Sequence, residues 1–306
     1  MSYSGFNGGS ATRRAIDIQS SAPPRRNSSG RARQVELKLK VAALEKDFAD
    51  LHTAISEAAQ VHRRLCAPRL VRHGDFEIAS EIFAVRHVPG DFVTADEVDG
   101  SVILALGDIC GKGLAAGMWI THFVGLVGAH TAVNPEPETV VRGVNRDLFR
   151  MSSVAPLASL FLAKLDPVTG RLDYCNAGHP PAFLLRADGH LELLSEGGPL
   201  LGVIPVASFA RGSVDLRAGD LLLVCSDGIL ETLDNVDQEF GYERLEAQLR
   251  NARMGSADAV LFSVLGAVQD FAATRSLADD MSLLVVRHRP LQSSMVQNVQ
   301  IKGEYQ

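Results

Sequence analysis

The sequence predicts an α+β protein of stacked antiparallel sheets flanked by helices, and three observations carry that expectation. Hydrophobic residues make up 46% of the 306-residue chain but aromatics only 6%, so the core is expected to be aliphatic, as sheets and their covering helices use. From Asp75 onward the chain breaks into short β-runs bounded by Gly, Pro, Asp and Asn, which punctuate strands. The helical segments gather in blocks, an arrangement suited to sheets with helices outside them.

Residues 1–34 are rich in Ser, Gly and Arg with Asp17 as the only acid, and no apolar period runs through them. A disordered basic tail is expected there. At Leu37 the pattern changes. Leu37, Val41, Leu44, Phe48, Leu51, Ile55, Ala58, His62 and Leu65 alternate steps of four and three, which is a coiled-coil seam. With Leu37, Leu44, Leu51, Ala58 and Leu65 at d, the a positions are Val41, Phe48, Ile55 and His62, a choice that favours a parallel two-stranded coil. Residues 35–66 are therefore expected as a coiled-coil or regulatory helix, pairing as a homodimer through residues 37–65. An amphipathic helix lying on its own domain is the alternative. A globular domain is expected over 67–290 and a flexible tail over 291–306.

Within that domain, strands are expected at Phe76 to His87, Ser101 to Leu106, Ser159 to Leu165, Leu172 to Cys175, Ala182 to Arg186, Leu191 to Leu194, Leu221 to Cys225 and Ser282 to Arg287. Helices are expected at Leu114 to Val133, Pro137 to Met151 and Ser256 to Thr274. The first of these carries no Asp, Glu, Lys or Arg over 20 residues, about the length of a bilayer span. It holds His122, His130 and three glycines and sits amid globular motifs, so it reads as a buried core helix and no membrane span is expected.

Composition excludes some functions. A net charge of −6 offers no general attraction to nucleic acid or anionic lipid. No apolar segment behind a basic start opens the chain, so a cytoplasmic location is expected. Cys66, Cys110, Cys175 and Cys225 are scattered without C-x-x-C or zinc spacing, as small core residues would be. There is neither a G-x-S-x-G elbow nor a Cys-centred phosphate loop.

The chemistry lies in the aspartates. Three strands are expected to end on one beside glycine or a small residue: Asp91, Asp108 and Asp227; the pair Asp279-Asp280 precedes the last strand. Carboxylates and backbone carbonyls are hard oxygen donors suited to Mg²⁺ or Mn²⁺, and several round one opening repel each other unless cations fill the gap. Asp and Gly also dominate ordinary turns, so order and wording decide between the two readings.

P-G-D-F (89–92), G-D-I-C-G-K-G-L-A-A (107–116), N-A-G-H-P-P (176–181), S-D-G-I (226–229) and D-D-M-S-L-L-V-V-R (279–287) together resemble the successive motifs of stage II sporulation protein E-type phosphatases, within the protein phosphatase 2C-like superfamily. The resemblance covers about residues 60–289. It implies a four-layer α-β-β-α sandwich and a metal-dependent protein serine/threonine phosphatase. It implies metal ligands at Asp91, Asp108, Asp227 and Asp279, with the Ile109 backbone carbonyl as a further ligand and Asp280 beside them, holding two divalent cations, Mn²⁺ or Mg²⁺. Its substrates are phosphorylated proteins, often small anti-sigma factor antagonists in partner-switching pathways. Asp91 and Asp108 would hold both ions and so make a water that attacks phosphorus in line. Amides of Gly111, Lys112 and Gly113, before a helix, would bind phosphate. Pro89 for glycine, Val93-Thr94 for Tyr-Asp and Ser282 for threonine depart from the family pattern without removing a ligand. His179 reads as a turn residue and not as an acid. A catalytically silent binding module is the alternative function.

Overall fold

The computed structural model describes residues 28–66, 70–85, 88–151 and 155–289. The expectations for residues 1–27 and for 291–306 lie outside them. The chain divides into two compact units, Met1–Leu51 and His52–Gln306.

The described part of the first unit belongs to α1 (Ser28–Cys66). The helix begins at Ser28, so residues 28–34, read as tail from their composition, are helical. Leu37, Val41, Leu44, Phe48 and Leu51 are all exposed and form an apolar stripe along the helix. Lys40 pairs along the helix with Glu36, Nζ to Oε1 at 2.7 Å, as residues four apart on a helix do.

In the second unit the end of α1 turns a different face inward. Ala59, His62 and Cys66 are buried while Leu65 stays exposed. The seam expected through Ala58, His62 and Leu65 therefore breaks here, because His62 faces Ile82, Phe83 and Pro89 across a cavity and Cys66 joins the core beside Phe92 and Ile109.

In chain order the strands are β1 (Leu70–His73), β2 (Phe76–Phe83), β3 (Asp91–Val98), β4 (Ser101–Ile109), β5 (Ala158–Leu165), β6 (Arg171–Ala177), β7 (Ala182–Leu185), β8 (Leu191–Leu194), β9 (Gly197–Gly198), β10 (Gly212–Asp215), β11 (Leu221–Cys225) and β12 (Met281–His288). The remaining helices are α2 (Leu114–Val133), α3 (Pro137–Arg150), α4 (Asp227–Leu230), α5 (Gly241–Ala252) and α6 (Ala257–Ala272). One sheet runs β1-β2-β12-β11-β7-β8 and the other β10-β6-β5-β4-β3, with β9 beside β6. All pairings are antiparallel except β6 with β9.

Side-chain alternation builds four layers. On β12, Met281, Leu283 and Val285 pack with α5 and α6, while Leu284 and Val286 face the other sheet. On β4, Ile103, Ala105 and Ile109 pack with α2 and α3, while Val102, Leu104 and Leu106 face inward. A strand buried on both faces reads as a continuous aliphatic run, which is why these strands stand out in the sequence. Each buried Leu or Val contributes about 1.5–3 kcal/mol relative to exposure. Helix α2 buries Ala116, Ile120, Phe123 and Val127, one face at helical spacing, and leaves Leu114 and Met118 exposed. No helix among the described residues is long and apolar enough to cross a membrane.

Two expectations are corrected. The run from Phe76 ceases to be strand at Phe83, and Asp91 opens β3 instead of closing a strand. Pro89 lacks the N–H that a continuing ladder needs, and Gly90 spends its own on a side chain described below. Strands β1, β3, β9 and β10 and helices α4 and α5 were not expected; α5 buries only Leu245 and Leu249, too few positions to mark a helix.

Candidate active site

The two sheets bring their acidic residues to the same end of the sandwich. Asp91, the first residue of β3, stands directly opposite Asp108 on β4, and Asp108 stands opposite Ser159 on β5. From the other sheet, β11 ends at Cys225 just before Asp227, and β12 begins at Met281 just after Asp280. Gly228 is required for this approach: a Cβ there would lie 2.0 Å from the Asp280 carbonyl oxygen. Asp227 is thus pressed against the Asp279-Asp280 turn.

Hydrogen bonds clasp the sheets at this end. Asp280 accepts from the Val85 N–H at 2.8 Å and the Gly90 N–H at 2.9 Å, one on each oxygen. The Ser282 hydroxyl donates to Asp91 Oδ2 at 2.5 Å, and the Ser282 N–H donates to Ser226 Oγ at 3.0 Å. Gly90 also accepts from the Ile109 N–H at 3.1 Å, which fixes the Ile109 peptide beside Asp108. On the solvent side, Lys112 Nζ donates to Asp279 Oδ2 at 2.6 Å and to the Ala278 carbonyl at 3.0 Å. Gly113 precedes α2 at φ +78°, a conformation that glycine adopts without cost.

The electrostatics are those of crowded like charges. Burial, then the neighbouring Asp108, pushes the Asp91 carboxyl well above the carboxylate range. Burial, then Asp227, with smaller contributions from Asp279 and Asp280, pushes Asp108 up to about 6. Burial and Asp279 raise Asp227 as well. Asp91 and Asp108 face each other in register, so each raises the cost of ionising the other. Among the described residues no three ligating side chains already form a finished cage. The carboxylates of Asp280, Asp91 and Asp279 are engaged by backbone amides, by Ser282 and by Lys112. The donor set, all hard oxygen with several negative charges at one opening, fits Mg²⁺ or Mn²⁺.

Beside Asp108 and Asp227 runs a cleft of about 400 Å³ lined by Cys110, Ser159, Gly178, His179, Pro180 and Leu200. His179 is buried, which pushes its pKa down to about 3, so the ring is neutral and supplies no proton at ordinary pH. Its backbone N–H donates to Asn176 Oδ1 at 2.8 Å, its ring Nδ1 lies 2.9 Å from Ser159 Oγ, and ring Nε2 has no well-formed partner among the described residues. This is the turn residue that the N-A-G-H-P-P motif suggested. Burial pushes the thiols of Cys66, Cys175 and Cys225 up to about 12. Cys110 departs from the expected core role: it is exposed, with its thiol raised by burial of its surroundings and by Asp108 and Asp227. No thiolate nucleophile is on offer here.

Residues 98–289 match the family profile described as stage II sporulation protein E. The chain belongs to the stage II sporulation protein E family. Among curated relatives it is similar to Protein IcfG from Synechocystis, 28% identical over 52% of this chain and 30% of that one. It is also similar to the phosphoserine phosphatase RsbU of Bacillus subtilis, 23% identical over 78% of this chain and 71% of that one. The chain therefore spans less than a third of the first relative and most of the second. Among solved structures, the SiaA-PP2C domain of Pseudomonas aeruginosa shares the fold with a TM-score of 0.70 at 16% identity, over 80% of this chain and 99% of that one.

Seen within this family, the departure at Ser282 is conservative, since serine retains the hydroxyl that Asp91 accepts. Sequence reasoning placed Ser282 only as a substitution and overlooked Ser226 and Gly90. The one available signal was their position inside S-D-G-I and P-G-D-F, next to the acids they hold.

The acidic cluster makes stability depend on pH in a direction opposite to the usual salt-bridged carboxylate. Asp108 rises from 3.8 to about 6, so the folded protein holds its proton more tightly than the unfolded chain. That stabilisation is full below 3.8 and is lost as pH rises through about 6. Thermal melts in EDTA are expected to show wild type gaining stability relative to Asp108→Asn as pH falls from 7 to 4.5; a pH-independent difference between the two proteins would contradict the assignment.

Proposed function

We propose that this chain is a metal-dependent protein serine/threonine phosphatase acting in the cytoplasm on a phosphorylated regulatory protein, a small anti-sigma factor antagonist in a partner-switching pathway. One observation carries the reading: Asp91 stands opposite Asp108, Asp280 binds the Gly90 N–H beside Asp91, and Gly228 brings Asp227 against the Asp279-Asp280 backbone, so acids from distant segments meet at one end of the sandwich. Such a cluster costs stability unless cations compensate it. The similarity to RsbU and to RsbP, both named phosphoserine phosphatases of Bacillus subtilis, supports the activity. The domain responsible is taken as residues 67–290, behind a regulatory helix over 35–66.

In this reading Asp91, Asp108, Asp227 and Asp279 hold two divalent cations, Mn²⁺ or Mg²⁺, with the Ile109 carbonyl as a further ligand and Asp280 beside them. Bound cations would acidify water and neutralise phosphoryl oxygens. The residues do the positioning. Asp91 and Asp108, opposed in register, would both ligate cations bound there, and the Ser282 hydroxyl holds Asp91 in place. Asp280 anchors the 85–90 segment through its two backbone amides. The amides of Gly111, Lys112 and Gly113 precede α2 and favour the phosphate end of the substrate, and the adjoining cleft admits a phosphorylated side chain.

The exposed stripe Leu37, Val41, Leu44, Phe48 and Leu51 suits a parallel homodimer that uses the first part of the expected 37–65 seam and ends before the buried Ala59 and His62. Light scattering is expected to give a dimer for wild type and a folded monomer for Phe48→Glu. A monomeric wild type would remove the dimer.

Activity is tested by phosphate release from a phosphoserine protein with Mn²⁺. Wild type is expected to turn over, while Asp108→Ala, Asp227→Ala and an EDTA control fall to background. Mn²⁺ binding by wild type without turnover on any phosphoprotein would favour the silent binding module instead.

A further inference from the structure

Among the described residues, Lys112 places a cation directly on one of the clustered acids. It lies in the loop between β4 and α2, yet its Nζ sits 2.6 Å from Asp279 Oδ2 and 3.0 Å from the Ala278 carbonyl, contacts that bridge 166 and 167 residues of sequence. The other Asp279 oxygen, Oδ1, accepts the Asp280 N–H at 3.0 Å. Both oxygens of Asp279 are thus engaged, one by backbone and one by the ammonium. The same ammonium also acts on Asp227 and Glu231, favouring their ionised forms. A divalent cation that took Asp279 Oδ2 would have to replace it.

We propose that Lys112 is an internal counter-cation that occupies Asp279 in the metal-free protein and competes with the divalent metal for it. The proposal rests on the two-cation reading given above. In the metal-free state the ammonium offsets part of the repulsion among Asp227, Asp279 and Glu231. When a metal binds, that work passes to the ion, the Lys112–Asp279 contact breaks, and the side chain moves to solvent. Loop geometry permits the exchange, because Gly111 and Gly113 on either side of Lys112 have φ of +137° and +78°. Energetics permit it too. The Lys112 side chain is 39% exposed and that of Asp279 44%, so the pair contributes at most about 1 kcal/mol, far less than two charges of a cation among several carboxylates. Lys112 is then a positioning residue for Asp279, and its effect is on metal affinity.

The test is a calorimetric Mn²⁺ titration of the full chain, without substrate, for wild type, Lys112→Met and Lys112→Arg. Lys112→Met is expected to bind Mn²⁺ up to about fivefold more tightly and to melt lower than wild type in EDTA, whereas Lys112→Arg stays near wild type in both. A second readout needs no variant: acetylation of Lys112 in wild type, followed by mass spectrometry, is expected to run faster with Mn²⁺ than in EDTA. Equal or weaker Mn²⁺ binding by Lys112→Met, or acetylation unchanged by Mn²⁺, would overturn the competition while leaving the two-cation reading intact. Absence of Mn²⁺ binding in both wild type and Lys112→Met would overturn the proposal together with the reading it rests on.

Discussion

Several carboxylates at the edge of a dry aliphatic core repel one another, and that repulsion is the constraint to which the rest of this site answers. Burial raises the cost of each charge, and each neighbour raises it further. Without metal, the protein has three remedies. Asp280 spreads its charge over two backbone amides. Asp91, its carboxyl pushed well above the usual range by burial and Asp108, accepts from the Ser282 hydroxyl. Asp279 takes an ammonium. Each remedy serves one or two acids, together they leave several negative charges at one opening, and a pair of divalent cations would offset more of them at once.

The fold makes the crowding unavoidable. Two antiparallel sheets packed on Leu104, Leu106, Phe161, Leu284 and Val286 align the start of β3, the end of β4, the end of β11 and the start of β12 at one rim. Aliphatic runs buried on both faces leave no freedom for a register slip, since a one-residue shift would send every core side chain to the wrong layer. The rigidity of the sandwich is therefore what holds like charges together. The bonds from Asp280 to Gly90 and from Ser282 to Asp91 tie the two rims, so stability and site geometry share the same contacts.

Much of this was legible beforehand. Strands such as β4, β11 and β12 announce themselves as unbroken Val and Leu runs, and α2 was bounded correctly by its charge-free stretch and the glycine before it. The acids were visible through their glycine neighbours and motif order. What escaped detection was long-range. Nothing within P-G-D-F indicates that Asp91 starts a strand and not that it ends one, since an aspartate beside glycine serves both. The roles of Ser282, Gly90 and Lys112 depend on partners more than 160 residues away, beyond any local period. The seam of α1 failed at His62 because a heptad pattern cannot tell a partner helix from the protein's own core.

The proposal that these carboxylates hold divalent cations is tested most directly by counting protons. Mn²⁺ binding to the full chain would be measured calorimetrically at pH 6 in buffers of differing ionisation enthalpy, then repeated at pH 8. The account predicts net proton release on binding at pH 6, because Asp108 with a pKa of about 6 and the higher-lying Asp91 must ionise to take the ion, and a smaller release at pH 8. Mn²⁺ binding with no proton release at pH 6, or no binding at all, would contradict it.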